Sequence, residues 1–196
     1  FAGAGGLALG LENSGLKSKL LVEIDKNCVE TLKKNRKDWN IIHDDIKNIN
    51  FKGIKADVVT GGFPCQSFSY AGKRLGFEDT RGTLFFEFAR AVKEIQPKIF
   101  IAENVAGLVS HDQGRTLQTM LKILREDLDS YNVQYKILNA VNFSVPQKRQ
   151  RILIIGTKKE INFNFPKEHD TIVNLREALK DVPKSKGTLY SEERGK

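Results

Sequence analysis

The chain has 196 residues, of which 40% are hydrophobic, so it can bury one substantial core and we expect one main domain. No apolar run approaches the ~20 residues that a membrane-spanning helix needs, and no membrane association is expected. The 2 cysteines are too few for a disulfide framework or a thiolate metal site, so we expect a reducing cytoplasm and no metal. The formal net charge of +8 is compatible with a polyanionic partner such as nucleic acid.

Segments with strand-like and helical patterns alternate from the start of the chain. Residues 1–6 form a glycine-rich turn, and because such turns connect a strand to a helix, we expect a first strand to precede Phe1. The other predicted elements are, in order, a helix at 7–16, a strand at 20–22, a helix at 27–35, strands at 41–42 and 58–59, a helix from Gly82, a strand at 98–102, a helix at 117–128, and strands at 135–140 and 152–156. This alternation predicts an α/β fold with a doubly wound, mostly parallel sheet.

The alternation stops after Thr157, where the stretch 162–166, Asn-Phe-Asn-Phe-Pro, follows. We therefore expect residues 1–157 to form one domain and residues 158–196 to be a linker towards another. The polar segment 185–196 carries no stop signal of a finished domain. Together with the missing first strand, this predicts a fragment that is truncated at both ends.

A cysteine follows the strand predicted at 58–59, within the stretch 61–69, Gly-Gly-Phe-Pro-Cys-Gln-Ser-Phe-Ser. The glycines and Pro64 require a sharp exit from the sheet. In open α/β sheets, ligands and chemistry gather at the carboxyl ends of the strands, where Cys65 is placed as a nucleophile would be. A free cysteine is also commonly a buried, inert residue, and position alone leaves both interpretations open.

Acidic residues follow two other predicted strands. Glu23 ends the strand at 20–22 and could accept hydrogen bonds from ribose hydroxyls, as an acid does in dinucleotide-binding folds. It could instead be a helix N-terminal charge, a role that Asp25 would fill equally well. Asp45 follows the strand at 41–42 and could accept from an adenine amino group, although it could be a turn aspartate and Asp44 competes for the same role. With the glycine-rich turn, these acids favour an adenosine-containing cofactor.

Two further features lie at strand boundaries. Glu103 directly follows the apolar run 99–102, so its carboxyl group would be partly removed from water, as in a functional site. Alternatively, Glu103 could cap a helix. Arg149 and Arg151 lead into the strand at 152–156, and residues two apart in a strand point to the same face. A charge run at the entrance of a strand is usually solvated, so these arginines alone do not indicate a site.

In this order, the motifs resemble those of the cytosine-C5 DNA methyltransferase family from Phe1 to about Thr157. The turn at 1–6 is similar to the family's cofactor turn, and residues 61–69 are similar to its catalytic Pro-Cys motif. Residues 81–86 match the motif that follows the mobile catalytic loop, residues 103–105 the acid motif and residues 147–151 the basic motif. Five or six specific blocks in the right order leave little room for coincidence.

The resemblance implies a fold, a reaction and a set of catalytic residues. The fold would be the Rossmann-like fold of S-adenosylmethionine-dependent methyltransferases, and the reaction would be methyl transfer to C5 of cytosine in duplex DNA. Cys65 would bond covalently to cytosine C6, on a turn shaped by Pro64. Glu103 would protonate or hydrogen-bond ring N3 and Arg151 would bind O2, with Arg149 as a neighbour in that network. We expect Glu103 and Arg151 to converge beside Cys65.

The resemblance also implies a site for S-adenosylmethionine and a closing loop. The implied cofactor-binding residues are Phe1, Gly3, Gly5, Gly6, Glu23, Ile24, Asp45, Ile46 and Leu84. The target cytosine must be flipped out of the duplex, at a cost of roughly a few kcal/mol. The segment 69–80, with Gly72 and Gly76 as pliable points, is long enough to close over that base. Cys28 would be a packing residue.

The family's other parts would lie outside the chain. Its first strand would precede Phe1, and its target-recognition domain and C-terminal cofactor motif would follow Lys196. We therefore expect the chain alone to bind DNA weakly and to be inactive. No obligate protein partner is indicated.

Two alternatives to a DNA methyltransferase stay open. The first is a tRNA-methylating relative, against which Phe63, immediately before the Pro-Cys pair, favours the DNA branch. The second is a non-catalytic, regulatory relative, against which the joint presence of Cys65, Glu103 and Arg151 favours an enzyme. The compact spacing between the motifs indicates the restriction-modification type.

Overall fold

The computed structural model describes residues 1–64 and 84–182. The chain folds into two compact units. The first unit contains Phe1–Leu138 and Gln150–Phe165, and the second contains Asn139–Arg149 and the residues from Pro166 onward. Apart from Arg149, the candidate site residues within the described ranges belong to the first unit. The domain division at Thr157 stays a prediction.

Each of the six strands predicted within the chain is present. The helices are α1 (Gly6–Asn13), α2 (Lys26–Asn35), α3 (Leu84–Ile95), α4 (Arg115–Glu126) and, in the second unit, the short α5 (Leu175–Ala178). The strands are β1 (Leu21–Glu23), β2 (Ile41–His43), β3 (Val58–Gly61), β4 (Ile99–Val105), β5 (Tyr131–Asn139) and β6 (Gln150–Lys158). The predicted α/β class is confirmed. In the described ranges, every helix is too short or too polar to cross a membrane.

The strands form two hydrogen-bonded sheets. Strands β1 and β2 pair in parallel, and the other sheet has the order β3-β4-β6-β5. Strand β3 is parallel to β4, whereas β6 is antiparallel to it, so this sheet is mixed. Strand β4 continues past the predicted end at Ala102 because it pairs with β6 as far as Val105, which lies opposite Arg151. Glu103 therefore lies within a strand.

Helices α3 and α4 form the main core with strand β4. The apolar residues of both helices recur every three or four positions, which places them on one face. Their buried members are Phe85, Phe88 and Val92 of α3 and Leu117, Met120, Leu121 and Leu124 of α4. The ring of Phe88 packs edge-on against that of Phe100 on β4, with the ring centroids 6.0 Å apart. Each large apolar side chain contributes about 1.5–3 kcal/mol, so this core holds β4 firmly.

Candidate active site

The backbone that leads towards Cys65 is anchored at two points before Pro64. The buried ring of Phe63 packs edge-on against Phe85 of α3, with the ring centroids 5.5 Å apart. The carbonyl oxygen of Phe63 accepts a 2.9 Å hydrogen bond from the buried side-chain amide of Asn104. Because one anchor holds the side chain and the other the main chain, Pro64 is fixed at the carboxyl end of β3.

Gly62 brings this turn against the carboxylate of Glu103. A Cβ atom at this position would lie 3.3 Å from Glu103 Oε2, so a glycine allows the backbone to approach the acid. The preceding Gly61 has a different reason, because a Cβ atom there would lie 2.6 Å from the ring of Phe88. Of the two glycines, one therefore serves the site and the other serves the core.

Glu103 and Arg151 form an ion pair across β4 and β6. Arg151 Nε lies 2.8 Å from Glu103 Oε1, and the side chains of Arg151 and Glu103 are 27% and 29% exposed, respectively. Glu103 lies opposite Leu153 and Arg151 lies opposite Val105, so the pair consists of diagonal neighbours on one face of the sheet. Alternation along β4 turns Asn104 into the core and leaves Glu103 on the more accessible face.

An acid, a guanidinium group and the Pro64 turn are thus grouped at one edge of the sheet. A carboxyl group and a guanidinium can together bind a planar ring that presents a nitrogen and a carbonyl oxygen. Cys65 lies outside the described residues, as do the segment 69–80 and residues 81–83, so their roles stay predictions. The sequence pattern assigns no role to Asn104, and its burial next to Glu103 is the signal that identifies it as the support of the turn.

Arg149 does not share a strand with Arg151. Strand β6 begins at Gln150, and Arg149 belongs to the second unit. Its backbone N–H donates to Asn139 Oδ1 at 3.1 Å, and its carbonyl oxygen accepts from Ala140 at 2.9 Å. The strand begins two residues before its predicted start at Ile152, which includes Arg151 but leaves Arg149 one residue outside, so strand alternation does not place the two arginines on one face. A catalytic role for Arg149 stays a prediction.

Glu23 ties the end of β1 to the glycine-rich turn. Its Oε2 accepts a hydrogen bond of 2.7 Å from the N–H of Gly3, and its Oε1 accepts bonds of 2.9 Å from Ile24 and Asp25. Burial alone would raise the pKa of the carboxyl group, but the backbone hydrogen bonds from Asp25, Gly3 and Ile24 favour its charged form and lower the pKa. The pKa of Glu23 is therefore below its ordinary value, and the side chain is an ionised acceptor.

We expect Glu23→Gln to destabilise the protein by about 1–3 kcal/mol at neutral pH, because an amide replaces an acceptor of three backbone hydrogen bonds. The folded pKa lies below the unfolded one, so the carboxylate's contribution is complete above the unfolded pKa of ~4.3. It is lost as the pH falls through the folded pKa. Urea unfolding of both proteins between neutral and acidic pH measures this difference.

The control for this prediction is Glu30→Gln, because Glu30 is an exposed partner of Lys26 on α2. Its effect is expected to stay within about 0.5 kcal/mol at every pH. A gap between wild type and Glu23→Gln that widens towards acidic pH would contradict the assigned direction of the pKa shift.

The glycine-rich turn leaves open space at two of its candidate glycines. A Cβ atom at Gly3 or Gly6 would meet no atom within 4 Å, and Gly3 has a φ of +55° that favours glycine. Gly5 is explained by packing, because a Cβ atom there would lie 2.6 Å from Leu32 and 2.9 Å from Trp39. Gly3 and Gly6 therefore fit a surface on which a ligand lies, whereas Gly5 allows α2 to pack closely.

Asp45 lies directly before a 3₁₀ turn, Ile46–Asn48, at the end of β2. Its Oδ1 accepts a hydrogen bond from the N–H of Lys47 at 3.0 Å, and its Oδ2 meets no donor within the described ranges. The neighbouring Asp44 is exposed, and its Oδ1 accepts from Asp45 and Asn48. Asp45 is therefore a turn aspartate, in agreement with the alternative interpretation. Its Oδ2 accepts no hydrogen bond from the residues that the structure describes.

The other candidate cofactor residues differ in exposure. Ile24, directly after Glu23, is 62% exposed, which is unusual for a large apolar side chain at a strand end. Ile46 is partly buried. Phe1 and Leu84 are also partly buried and pack against the main core. Ile24 is thus the apolar surface most available to a ligand among these four.

Cys28, the second cysteine, lies on α2 and differs from a nucleophile in its surroundings. The backbone N–H of Cys28 donates to Asp25 Oδ1 at 2.8 Å, so that Asp25 caps the helix. Partial burial, followed by the nearby Asp25, raises the pKa of the Cys28 thiol. The thiolate is the reactive form, so a raised pKa agrees with a packing role.

Comparison with known proteins places this geometry in a family. The family model "C-5 cytosine-specific DNA methylase" matches residues 1–195. The Type II methyltransferase M.Eco47II of Escherichia coli is 51% identical over 203 residues, which cover 97% of this chain and 48% of that protein. The Type II methyltransferase M.Sau96I of Staphylococcus aureus is 50% identical over 205 residues, which cover 99% of this chain and 47% of that protein. The chain therefore spans about half the length of these relatives.

The fold has a close counterpart among solved structures. A prophage-encoded protein of E. coli, described as a DNA modification methyltransferase, superposes with a TM-score of 0.75 at 27% identity. The match covers 93% of this chain and 53% of that one. It confirms the Rossmann-like methyltransferase fold predicted from the sequence. Since the family model also matches nearly every residue, the chain belongs to the C-5 cytosine-specific DNA methylase family.

Proposed function

We propose that the protein transfers a methyl group from S-adenosylmethionine to C5 of cytosine in duplex DNA, as the methyltransferase of a restriction-modification system. The observation that carries the proposal is the ion pair between Glu103 and Arg151. The carboxylate of this pair lies next to Gly62, which precedes Pro64 and Cys65 in the chain. Membership of the family and the likeness to Type II methyltransferases support the same reaction.

The catalytic residues make cytosine C5 nucleophilic. The thiolate sulfur of Cys65 bonds to C6, and the ring electrons shift towards N3, which takes a proton through Glu103. Arg151 donates to O2 and stabilises the charge that develops there. S-adenosylmethionine, when bound, would supply an electrophilic methyl group and leave as S-adenosylhomocysteine. Once C5 carries the methyl group, a base removes the C5 proton, the C6–S bond breaks to return the thiolate, and the N3 proton returns to Glu103.

The residues at the ends of β1 and β2 suit an adenosine-containing cofactor. Glu23 is an ionised acceptor for ribose hydroxyls. Asp45 Oδ2 is an acceptor for the exocyclic amino group of adenine, and the exposed side chain of Ile24 offers an apolar face to a flat ring. The open space at Gly3 allows the ligand to approach the backbone. These residues would hold the cofactor without a metal.

The proposed substrate is a cytosine flipped out of duplex DNA. A base in the stack presents only its edges to a protein, so attack on C6 requires the ring to enter a pocket. The formal net charge of +8 favours binding to the phosphate backbone. A loop over residues 69–80 would exclude water from the closed pocket.

Methylation of defined substrates by the full-length protein tests this proposal. We expect duplex DNA to gain 5-methylcytosine when S-adenosylmethionine is present, and we expect no methylation of tRNA. Product nucleosides are identified by mass spectrometry after complete digestion. Formation of N4-methylcytosine, or methylation of tRNA in preference to DNA, would contradict the proposed reaction.

A further inference from the structure

Arg90 on α3 holds both ends of the 3₁₀ turn that follows β2. Its Nη2 donates to the carbonyl oxygen of Ile46, and its Nη1 donates to that of Ile49, each at 2.9 Å. Ile46 is the first residue of the turn and Ile49 directly follows the last. A guanidinium group is a planar fork that reaches two acceptors at once, which the point charge of a lysine does not do.

Two acids of the same helix hold this guanidinium in place. Arg90 Nη2 lies 2.6 Å from Glu87 Oε2, and Nη1 lies 3.3 Å from Glu94 Oε1. Glu94 Oε2 also accepts from the N–H of Phe51 at 3.0 Å, and the guanidinium lies over the Phe51 ring. The three charged side chains are only 16% to 30% exposed, so these contacts are less screened than surface ion pairs.

The held segment is the one that carries Asp45 and Ile46. Its own backbone supplies two short-range hydrogen bonds, from Asn48 to Asp45 and from Ile49 to Ile46. A single 3₁₀ turn is marginal by itself, because its nucleation fixes several dihedral angles for few hydrogen bonds. The side chains of Asp44 and Asp45 accept three further hydrogen bonds within this segment. The contacts that Arg90 makes from α3 are the ones that tie the segment, and with it Asp45, to another element of the fold.

We propose that Arg90 is a positioning residue for the adenine side of the cofactor site, and this inference rests on the proposed function. It acts through the turn that follows Asp45. Because Arg90 lies on the helix that begins at Leu84, its contacts also fix the position of that turn relative to Leu84, another candidate cofactor residue. A sequence signal exists for it, because Glu87 and Glu94 lie one helical turn before and after Arg90.

Calorimetric titration of the full-length protein with S-adenosylmethionine tests the positioning role. Arg90→Met is expected to raise the Kd about tenfold, with the KM for duplex DNA unchanged at saturating cofactor. Arg90→Lys keeps the charge but not the fork, so an intermediate Kd is expected. Amide hydrogen exchange at 46–51 is expected to accelerate in cofactor-free Arg90→Met. Asp45→Ala serves as the reference for loss of a direct contact.

The matched control is Arg125→Met on α4, where Arg125 donates to the carbonyl oxygen of Val133 at 3.3 Å. Its Kd is expected to stay within about twofold of wild type. If Arg90→Met lowers the melting temperature but leaves the Kd unchanged, Arg90 only stabilises the fold and the inference is wrong. If Arg90→Met does not fold, an unchanged Kd in Arg90→Lys overturns the inference in the same way. Failure of wild type to bind the cofactor overturns the proposed function as well.

Discussion

A duplex with 5-fluorocytosine at the target position is expected to become covalently attached to the full-length protein when S-adenosylmethionine is present. If Cys65 adds to C6, the intermediate must lose the proton on C5 before the C6–S bond can break. Fluorine does not leave as a proton, so the bond persists after methyl transfer. The complex should then survive denaturing electrophoresis as a band that contains both protein and DNA.

Replacing each cysteine in turn shows which of the two thiols of the chain is the nucleophile. Cys65→Ser is expected to reduce the trapped species on the order of 10³-fold or more, because a serine hydroxyl is far less ionised near neutrality. Cys28→Ser is expected to leave trapping intact, since its thiol has a raised pKa. A stable adduct in Cys65→Ser, or loss of the adduct only in Cys28→Ser, would overturn the assignment of the nucleophile.

The positions of the strands could be predicted from their own residues, whereas the direction of β6 depends on the connection that leads into it. Buried apolar runs such as 99–102 identify a strand whatever its neighbours are. Direction depends on the connections, and β5 is joined to its neighbour β6 by residues 140–149 without an α-helix. A parallel neighbour needs a crossover of about a dozen residues or more, usually a helix. The missing helical pattern in that stretch was the available signal.

The acids of the candidate site could be predicted because each one ends or follows an apolar run of the sequence. Their partners could not, because partners depend on strand register and on distant packing. Asn104 supports Phe63 only because β4 alternates and turns Asn104 into the core. Gly5 looks like a ligand-binding glycine in the sequence, yet the residues that require it lie on and after α2. Local patterns therefore indicate where chemistry gathers, and tertiary contacts decide which residue serves it.

Glu103→Gln and Arg151→Met are each expected to lower kcat by about 10²–10³-fold, with much smaller effects on binding of the duplex. A glutamine at position 103 cannot supply a proton to ring N3, and a methionine at position 151 cannot donate to O2. The two side chains also hold each other, with Arg151 Nε 2.8 Å from Glu103 Oε1. Removal of either one therefore displaces the other, and single-turnover methylation measures the loss.

The double variant shows whether the pair acts as a unit. If each single substitution already disables the pair, the double variant should lose little more than either single one, a coupling of about 3–4 kcal/mol in the cycle. Lys98→Met is the matched control, because Lys98 and Asp57 also form a 2.8 Å ion pair but are 70% and 71% exposed. That pair joins the residues just before β4 and β3, so its loss should change kcat less than about twofold. Strict additivity of the Glu103 and Arg151 substitutions would show that the two side chains act independently, and effects no larger than that of Lys98→Met would contradict a catalytic role for the pair.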